Sequence, residues 1–337
     1  MGNAAEGILL LLCAGVMNAS FTLPMKLTRK WAWENTWAAW SGWALLVMPI
    51  AAAFCTVPQL GRVYAEAGGA NLTMVAFCGL GWGIAQVLFG IAVDMIGIAL
   101  AFSIVLGLSA AMGSLIPLVQ LHRDRIFSPA GLAILLGIAL VLAGVAICAV
   151  AGRAREKVSA AAARRTSASA GLACAVLSGI GAAAMNFGVA FGRPLIDAAA
   201  AAGASEAWRT NAVWAPLLAA GAIPNLLYCV HLLRKNRTAA NYGHAGTALY
   251  WGLAGAMAFL WFVSTLLYGV ASVKLGELGP VLGWPFFMSL IVVVASVLGL
   301  LTGEWKGTGK TPVRIQLAGV ALLVLAVIVL SRASQWL

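Results

Sequence analysis

Residues 81–97 read GWGIAQVLFGIAVDMIG, and residues 260–276 read LWFVSTLLYGVASVKLG. Aligned without gaps, they match Trp82 with Trp261, Phe89 with Tyr268, Gly90 with Gly269 and Gly97 with Gly276. A fainter echo pairs Met17 and Asn18 with Met185 and Asn186. Similarity at a long, fixed separation is the signature of an internal repeat. The sequence therefore predicts two related halves, 1–152 and 170–337, joined by a basic linker over 153–169.

The segments around these two stretches are apolar enough to lie in a lipid bilayer. The 337 residues are 62% hydrophobic and only 9% charged, whereas a soluble domain carries about 25% charged residues. Crossing a bilayer takes roughly 20 apolar residues in a helix. Ten such runs are predicted, at 6–26, 35–57, 71–93, 97–120, 129–151, 170–192, 211–233, 247–270, 277–302 and 314–334. We expect the lipid bilayer, and not nucleic acid, to be the partner of this basic chain, because its Lys and Arg residues lie between the apolar runs.

The predicted fold is an all-α integral membrane protein whose ten transmembrane helices form two inverted five-helix repeats. Because five is odd, the second half would enter the membrane with the opposite orientation. Inverted repeats are common in secondary transporters, which bind a solute near the midplane, between the halves. Most Lys and Arg residues fall in the linkers after odd-numbered helices. The positive-inside rule then predicts cytoplasmic positions for these linkers, and extracytoplasmic termini for a multi-pass protein of the cell (inner) membrane.

Polar side chains at membrane depth are costly, and they mark candidate binding residues. The candidates are Asn18, Gln86, Asn186, Ser264 and Thr265. The alternative is that they only form hydrogen bonds between helices. For Ser264 and Thr265 this alternative is the favoured interpretation, whereas a binding role is favoured for Gln86 and Asn186.

Two predicted helix faces combine an indole with polar groups. Trp82 lies one turn from Gln86, and Trp261 shares a face with Thr265 and Tyr268. Such a face suits a sugar, whose C–H surface stacks on the indole while its hydroxyls bond to the polar groups. Both tryptophans lie well inside their spans, which argues against a headgroup anchor. Other tryptophans, including Trp37, are interpreted as anchors at the membrane edge.

Few acids are available to couple transport to a proton. A carboxyl group in apolar surroundings can hold a proton near neutral pH. Glu277, at the start of the ninth span and on the same face as Trp284, is the first candidate. Asp197 is the second, with a surface ion pair to Arg193 as its alternative role.

A membrane enzyme is the least favoured class of function. It would need clustered acids, a metal site or a nucleophile–base pair, and His122, His231 and His244 are scattered along the chain. We therefore expect no enzyme activity, no cofactor and no metal.

Several motifs resemble one known family. Residues 20–34, SFTLPMKLTRKWAWE, are similar to the S-F-x-x-P-x-K…K-W-x-W-E signature of the L-rhamnose–proton symporter family, in the drug/metabolite transporter superfamily. Residues 79–117 resemble its third and fourth helices. RPLIDAA at 193–199, GWPFFMS at 283–289 and GEWK at 303–306 resemble its K-P-x-x-E-A-A, S-W-x-L-H-M-S and K-E-W motifs. The resemblance therefore covers nearly the whole chain, in order.

The resemblance implies ten helices in an inverted-repeat fold and import of a sugar with protons by alternating access. The sugar would be a 6-deoxyhexose such as L-rhamnose or L-fucose. Phe286 and Phe287 replace the family's Leu-His, and this departure leaves the sugar open. The sequence also leaves open the proton stoichiometry and the oligomeric state. An exporter of drugs, metabolites or amino acids from the same superfamily is the alternative function, since it would share the architecture.

Overall fold

The computed structural model describes residues 2–158 and 168–336, and these ranges are helical throughout, apart from turns and short connections. Ten helical segments are long and apolar enough to cross a membrane, which confirms the predicted number of spans. We label them α1 (Ala4–Leu27), α2 (Trp33–Thr56), α3 (Gly69–Ile96), α4 (Ile98–Leu121), α5 (Pro129–Arg155), α6 (Ser169–Ala201), α7 (Asn211–Lys235), α8 (Ala248–Lys274), α9 (Gly279–Leu301) and α10 (Lys310–Ala333).

Three of the spans are interrupted helices. In α1 the helix Gly2–Ser20 is followed by the 3₁₀ turn Leu23–Leu27. In α2 a π-helical segment, Gly42–Val47, separates Trp33–Ser41 from Met48–Thr56. Span α6 consists of Ala168–Ala182, Ala184–Phe191 and Arg193–Ala201. π-Helical segments are rare and often accompany functional sites.

The remaining helical segments are short or extend a span. The helix Leu60–Ala67 connects α2 to α3, and 3₁₀ turns lie at Arg123–Arg125, Thr238–Gly243 and Ser334–Trp336. The helix of α5 continues to Val158. Most of the linker predicted over 153–169 therefore lies outside the described residues.

Small residues let α3 cross α7 at very short range. Gly79 and Gly83 face the backbone of α7, where a β-carbon on Gly79 would overlap with the carbonyl oxygen of Leu217 and one on Gly83 with that of Gly221. The absence of side chains here brings the two backbones together, as in other membrane helix pairs. This crossing fixes the face of α3 that carries Trp82.

Gly79→Ala is expected to destabilise the protein by about 1–3 kcal/mol, because the added methyl group pushes α3 away from α7. Gly90→Ala in the same helix is the matched control, since a β-carbon there has no neighbour within 4 Å. Thermal unfolding in detergent measures both variants. Equal melting temperatures for the two would contradict the close crossing.

The main helix contacts follow a regular pattern. Helix α3 packs on α6 and α7, and α8 packs on α1 and α2. Helix α4 packs on α5 and α6, and α9 packs on α10 and α1. The pairs α2–α7, α4–α9 and α5–α10 complete the core. When α1–α5 are exchanged in order with α6–α10, this set of contacts stays the same.

Candidate functional site

The two indoles matched in the repeat alignment meet in the middle of the protein. Trp82 on α3 and Trp261 on α8 stack with ring centroids 5.7 Å apart and planes 28° apart. They are only 4% and 7% exposed, so neither is a headgroup anchor. Two predicted site residues are thus brought together where the two halves of the chain touch.

Further aromatic side chains extend this pair toward the start of α2. Trp40 makes an edge contact with Trp261, with centroids 5.3 Å apart. Trp37 lies 4.4 Å from Trp40, and Phe21 contacts both. We call these five residues (Phe21, Trp37, Trp40, Trp82 and Trp261) the aromatic column. Trp40 and Phe21 were missed by the sequence analysis, and Trp37, interpreted there as an anchor, belongs to this internal cluster.

The column also contains a polar atom that has no partner in the structure. Trp40 is 2% exposed, and its indole nitrogen forms no hydrogen bond within residues 2–158 and 168–336. A buried donor of this kind is costly unless something accepts from it. The column therefore combines buried indole rings with an unpaired donor.

Asn18 supports the column from α1. Its amide nitrogen donates to Ser264 Oγ at 2.9 Å, and Ser264 donates in turn to the carbonyl of Trp261 at 2.6 Å. Thr265 donates to the same carbonyl at 3.1 Å. These contacts match the interhelical and local bonding favoured for Ser264 and Thr265. Asn18, acting through Ser264, and Thr265 therefore stabilise the helical turn of α8 that carries Trp261.

Gln86 lies one turn beyond Trp82 on α3 and is partly buried. Its side-chain amide forms no hydrogen bond with the described part of the chain. It therefore combines a position beside Trp82 with unused donors and an unused acceptor.

A second cluster lies farther along α8 and is centred on Asn186, which is fully buried. The Asn186 amide donates to the carbonyl of Gly113 at 2.7 Å and to that of Pro280 at 3.0 Å. Its oxygen accepts from the Tyr268 hydroxyl. One side chain on α6 thus joins α4, α8 and α9, and we call Asn186 and Tyr268 the hub.

The hub satisfies a carbonyl group that a proline leaves free. Pro117 has no N–H for the carbonyl of Gly113 four residues earlier, and Asn186 donates to that oxygen instead. In α9, Pro285 frees the carbonyl of Val281 in the same way, and Ser114 donates to it. The two prolines therefore create acceptors that bind α4, α6 and α9 together.

Trp284 packs beside the hub rather than on the aromatic column. Its ring meets that of Tyr268 edge-on with centroids 5.3 Å apart, and it lies 6.2 Å from the ring of Phe287. Its nitrogen donates to the carbonyl of Ser109 at 2.9 Å. The predicted site residues therefore form two groups, one at the aromatic column and one at the hub.

Two adjoining cavities of about 870 and 720 Å³ open at the end of the protein where α1 begins. Glu277 lines both of them, and Asp197 lines the smaller one. Both side chains are exposed. Asp197 accepts from Arg193 Nε at 2.9 Å, which is the surface ion pair considered for it. The structure does not bring these acids into contact with the aromatic column.

The hub lies next to the smaller cavity, on the side of α8 that leads toward the aromatic column. Along α8 the order is Trp261, Thr265, Tyr268 and Ser272, and Ser272 lines that cavity. Pro280, which accepts from Asn186, also belongs to the cavity wall. Along α8, Tyr268 therefore lies between Trp261 of the column and Ser272 of the cavity wall.

Comparison with known proteins finds sequence similarity along nearly the whole chain. The family model described as L-rhamnose-proton symport protein matches residues 1–334. The chain is 29% identical over 337 residues to proteins named L-rhamnose-proton symporter from Yersinia pestis (strain Pestoides F) and Yersinia pseudotuberculosis serotype O:1b (strain IP 31758). In each case, the alignment covers 97% of both chains.

Proposed function

Because the chain belongs to the L-rhamnose-proton symport protein family, we propose that it imports L-rhamnose, or a related 6-deoxyhexose such as L-fucose, together with protons. The family match over residues 1–334 is the observation that carries this proposal. The family is one of transporters, so neither the enzyme nor the exporter alternative has support from the comparisons. The resemblance noted in the sequence is confirmed by the same match.

The sugar is proposed to bind at the aromatic column, against Trp82 and Trp261. Buried indole faces offer a broad apolar surface for the C–H face of a pyranose. Gln86 and the free nitrogen of Trp40 supply hydrogen bonds to hydroxyl groups. Asn18 and Thr265 position Trp261 in this scheme, while Asn186, Tyr268 and Trp284 control passage between the cavity and the column.

Transport is proposed to proceed by alternating access of two inverted halves. The support is the set of helix contacts, which is unchanged when α1–α5 are exchanged with α6–α10. Each half has five spans, so corresponding helices run in opposite directions if all ten cross the membrane. Exchanging the conformations of the halves would then close the cavity end and open the other.

Both termini are proposed to be extracytoplasmic, in the cell (inner) membrane. The support is the excess of Lys and Arg in the linkers at the end of the protein where α2 begins. In this orientation the two cavities open to the outside. The structure would then correspond to an outward-facing conformation with the hub closed.

Protons are proposed to enter through Glu277, with Asp197 as the second candidate. Glu277 lines both cavities, and no Lys, Arg or His of the described ranges forms an ion pair with its carboxylate. Asp197 is already paired with Arg193, and it is therefore the second candidate.

Proteoliposomes with an inward proton gradient are expected to accumulate labelled L-rhamnose, and Glu277→Gln is expected to lower this accumulation about tenfold or more. Sugar exchange at equal pH should persist in the variant, because the neutral amide mimics the protonated acid. Glu66→Gln is the control, since Glu66 lies away from the cavities and pairs with Arg62.

The outcomes separate the two acids. Full accumulation by Glu277→Gln with none by Asp197→Asn would assign coupling to Asp197. Full accumulation by both variants would exclude both acids. Uptake by the unmodified protein that ignores the gradient would contradict symport.

A further inference from the structure

A buried asparagine that the sequence analysis did not select lies at the edge of the aromatic column. Asn225 is 3% exposed and lies more than two turns from either end of α7. The indole nitrogen of Trp37, a member of the column, donates to its Oδ1 at 3.4 Å. Its Nδ2 donates to the carbonyl of Gly221 at 3.0 Å and to that of Gly83 at 3.5 Å. These partners fix the orientation of the amide, because an indole N–H only donates and a carbonyl only accepts.

The same partners place Asn225 beside both α3 residues of the proposed sugar site. The ring of Trp82 packs on Gly221, one turn before Asn225, where an added β-carbon would lie 2.8 Å from the ring. Gly83 directly follows Trp82 and precedes Gln86 by three residues. The Asn225 amide therefore lies between the turn of α7 that touches Trp82 and the turn of α3 that carries Gln86.

The contacts of the Asn225 amide leave part of its bonding capacity unused. A side-chain amide has two N–H donors and an oxygen with two lone pairs. Ordinary N–H···O bonds span about 2.7–3.2 Å, so only the bond to Gly221 is of normal length. The contacts to Trp37 and Gly83 are long, and among the described residues the oxygen accepts from Trp37 alone. One donor and one acceptor are therefore available to a solute.

This combination matches two neighbouring hydroxyl groups of a pyranose. A hydroxyl can both donate and accept, so one hydroxyl can donate to Oδ1 while the next accepts from Nδ2. A 6-deoxyhexose carries such adjacent pairs on its ring. The amide has no net charge, which suits a neutral sugar better than an ion.

We propose that Asn225 is a further sugar-binding residue, whose amide binds two adjacent ring hydroxyls when the sugar lies at the aromatic column. The hydroxyls replace the two long contacts, while the bond to Gly221 holds the amide in place. This inference rests on the proposed function and deepens it, because it names a residue that selects sugars by their hydroxyl pattern.

Binding of L-rhamnose and of analogues that each lack one ring hydroxyl tests this proposal, with isothermal titration calorimetry in detergent as the measurement. In the unmodified protein, loss of a hydroxyl bound by Asn225 is expected to weaken binding about tenfold. In Asn225→Ala this penalty should fall below about twofold at two adjacent ring positions. At the other positions, the penalties should be the same in both proteins.

Asn225→Ser provides a second variant that preserves the local helix contact. A serine hydroxyl can donate to the carbonyl of the preceding turn, as Asn225 does to Gly221. It is too short to replace the amide at the sugar, so the same two penalties should disappear. Asn71→Ala is the matched control, because Asn71 donates only to the carbonyl of Ala67, and every penalty should remain in it.

A purely structural role for Asn225 gives a different result. It would weaken the binding of all the sugars alike and leave the penalties unchanged. Equal penalties at every position in the unmodified protein and in both Asn225 variants would therefore overturn the proposal.

The outcome is separable from that of the proposed function. A protein that binds L-rhamnose with penalties that do not depend on Asn225 would keep its proposed function and lose only this inference. A protein that binds neither L-rhamnose nor L-fucose would lose its proposed function, and this inference would fall with it.

Discussion

Replacing Trp82 with alanine is expected to weaken L-rhamnose binding roughly 30- to 150-fold. The indole would contribute about 2–3 kcal/mol by covering the apolar face of the sugar. Trp261→Ala should have a similar effect, because the two rings stack on each other at 5.7 Å. Isothermal titration calorimetry in detergent measures the change in Kd.

Truncating a buried tryptophan also costs stability, about 3–5 kcal/mol, so binding must be separated from folding. Trp82→Phe keeps an aromatic face and should lose less affinity. Trp43→Ala is the matched control, because Trp43 on α2 is 41% exposed and lies outside the aromatic column. Unchanged sugar affinity in Trp82→Ala and Trp261→Ala would remove the column from the site.

Asn186→Leu is expected to abolish transport and to destabilise the protein by about 2–5 kcal/mol. Leucine cannot donate to the carbonyl of Gly113, which Pro117 leaves without its helical partner. The carbonyl of Pro280 and the Tyr268 hydroxyl would lose their partner as well. Each buried group left unsatisfied costs about 1–3 kcal/mol.

Asn71→Leu is the control for this substitution. Asn71 donates only to the carbonyl of Ala67 in the preceding turn, so its loss should cost less than about 1 kcal/mol. Tyr268→Phe removes only the bond to the Asn186 oxygen and should lower stability by a smaller amount than Asn186→Leu. Normal melting and transport in Asn186→Leu would contradict the role of the hub.

The sequence alone was sufficient to predict the features that depend on local composition. Ten spans follow from the length of the apolar runs, because lipid requires a helix wherever the backbone crosses it. The repeat alignment matched Trp82 with Trp261, but the contact between the two rings was not predicted. Asn18 and Asn186 were singled out as polar side chains at membrane depth. Both form hydrogen bonds with other helices.

Features that depend on how helices face one another were not accessible from one sequence. Trp37 and Trp40 lie three residues apart near the start of a span, where anchors and internal residues have the same pattern. The π-helical segment Gly42–Val47 changes the face of α2, and the sequence analysis did not use Pro49, which follows it closely. The burial of Glu34 was also not predictable, because it depends on contacts with the distant α7–α8 linker.

The most direct test of the account is a structure of the protein determined with saturating L-rhamnose. The account predicts density for the sugar against the indoles of Trp82 and Trp261, with Gln86 within hydrogen-bonding distance of a hydroxyl group. Density confined to the cavities lined by Glu277, with the two indoles still stacked on each other, would contradict it.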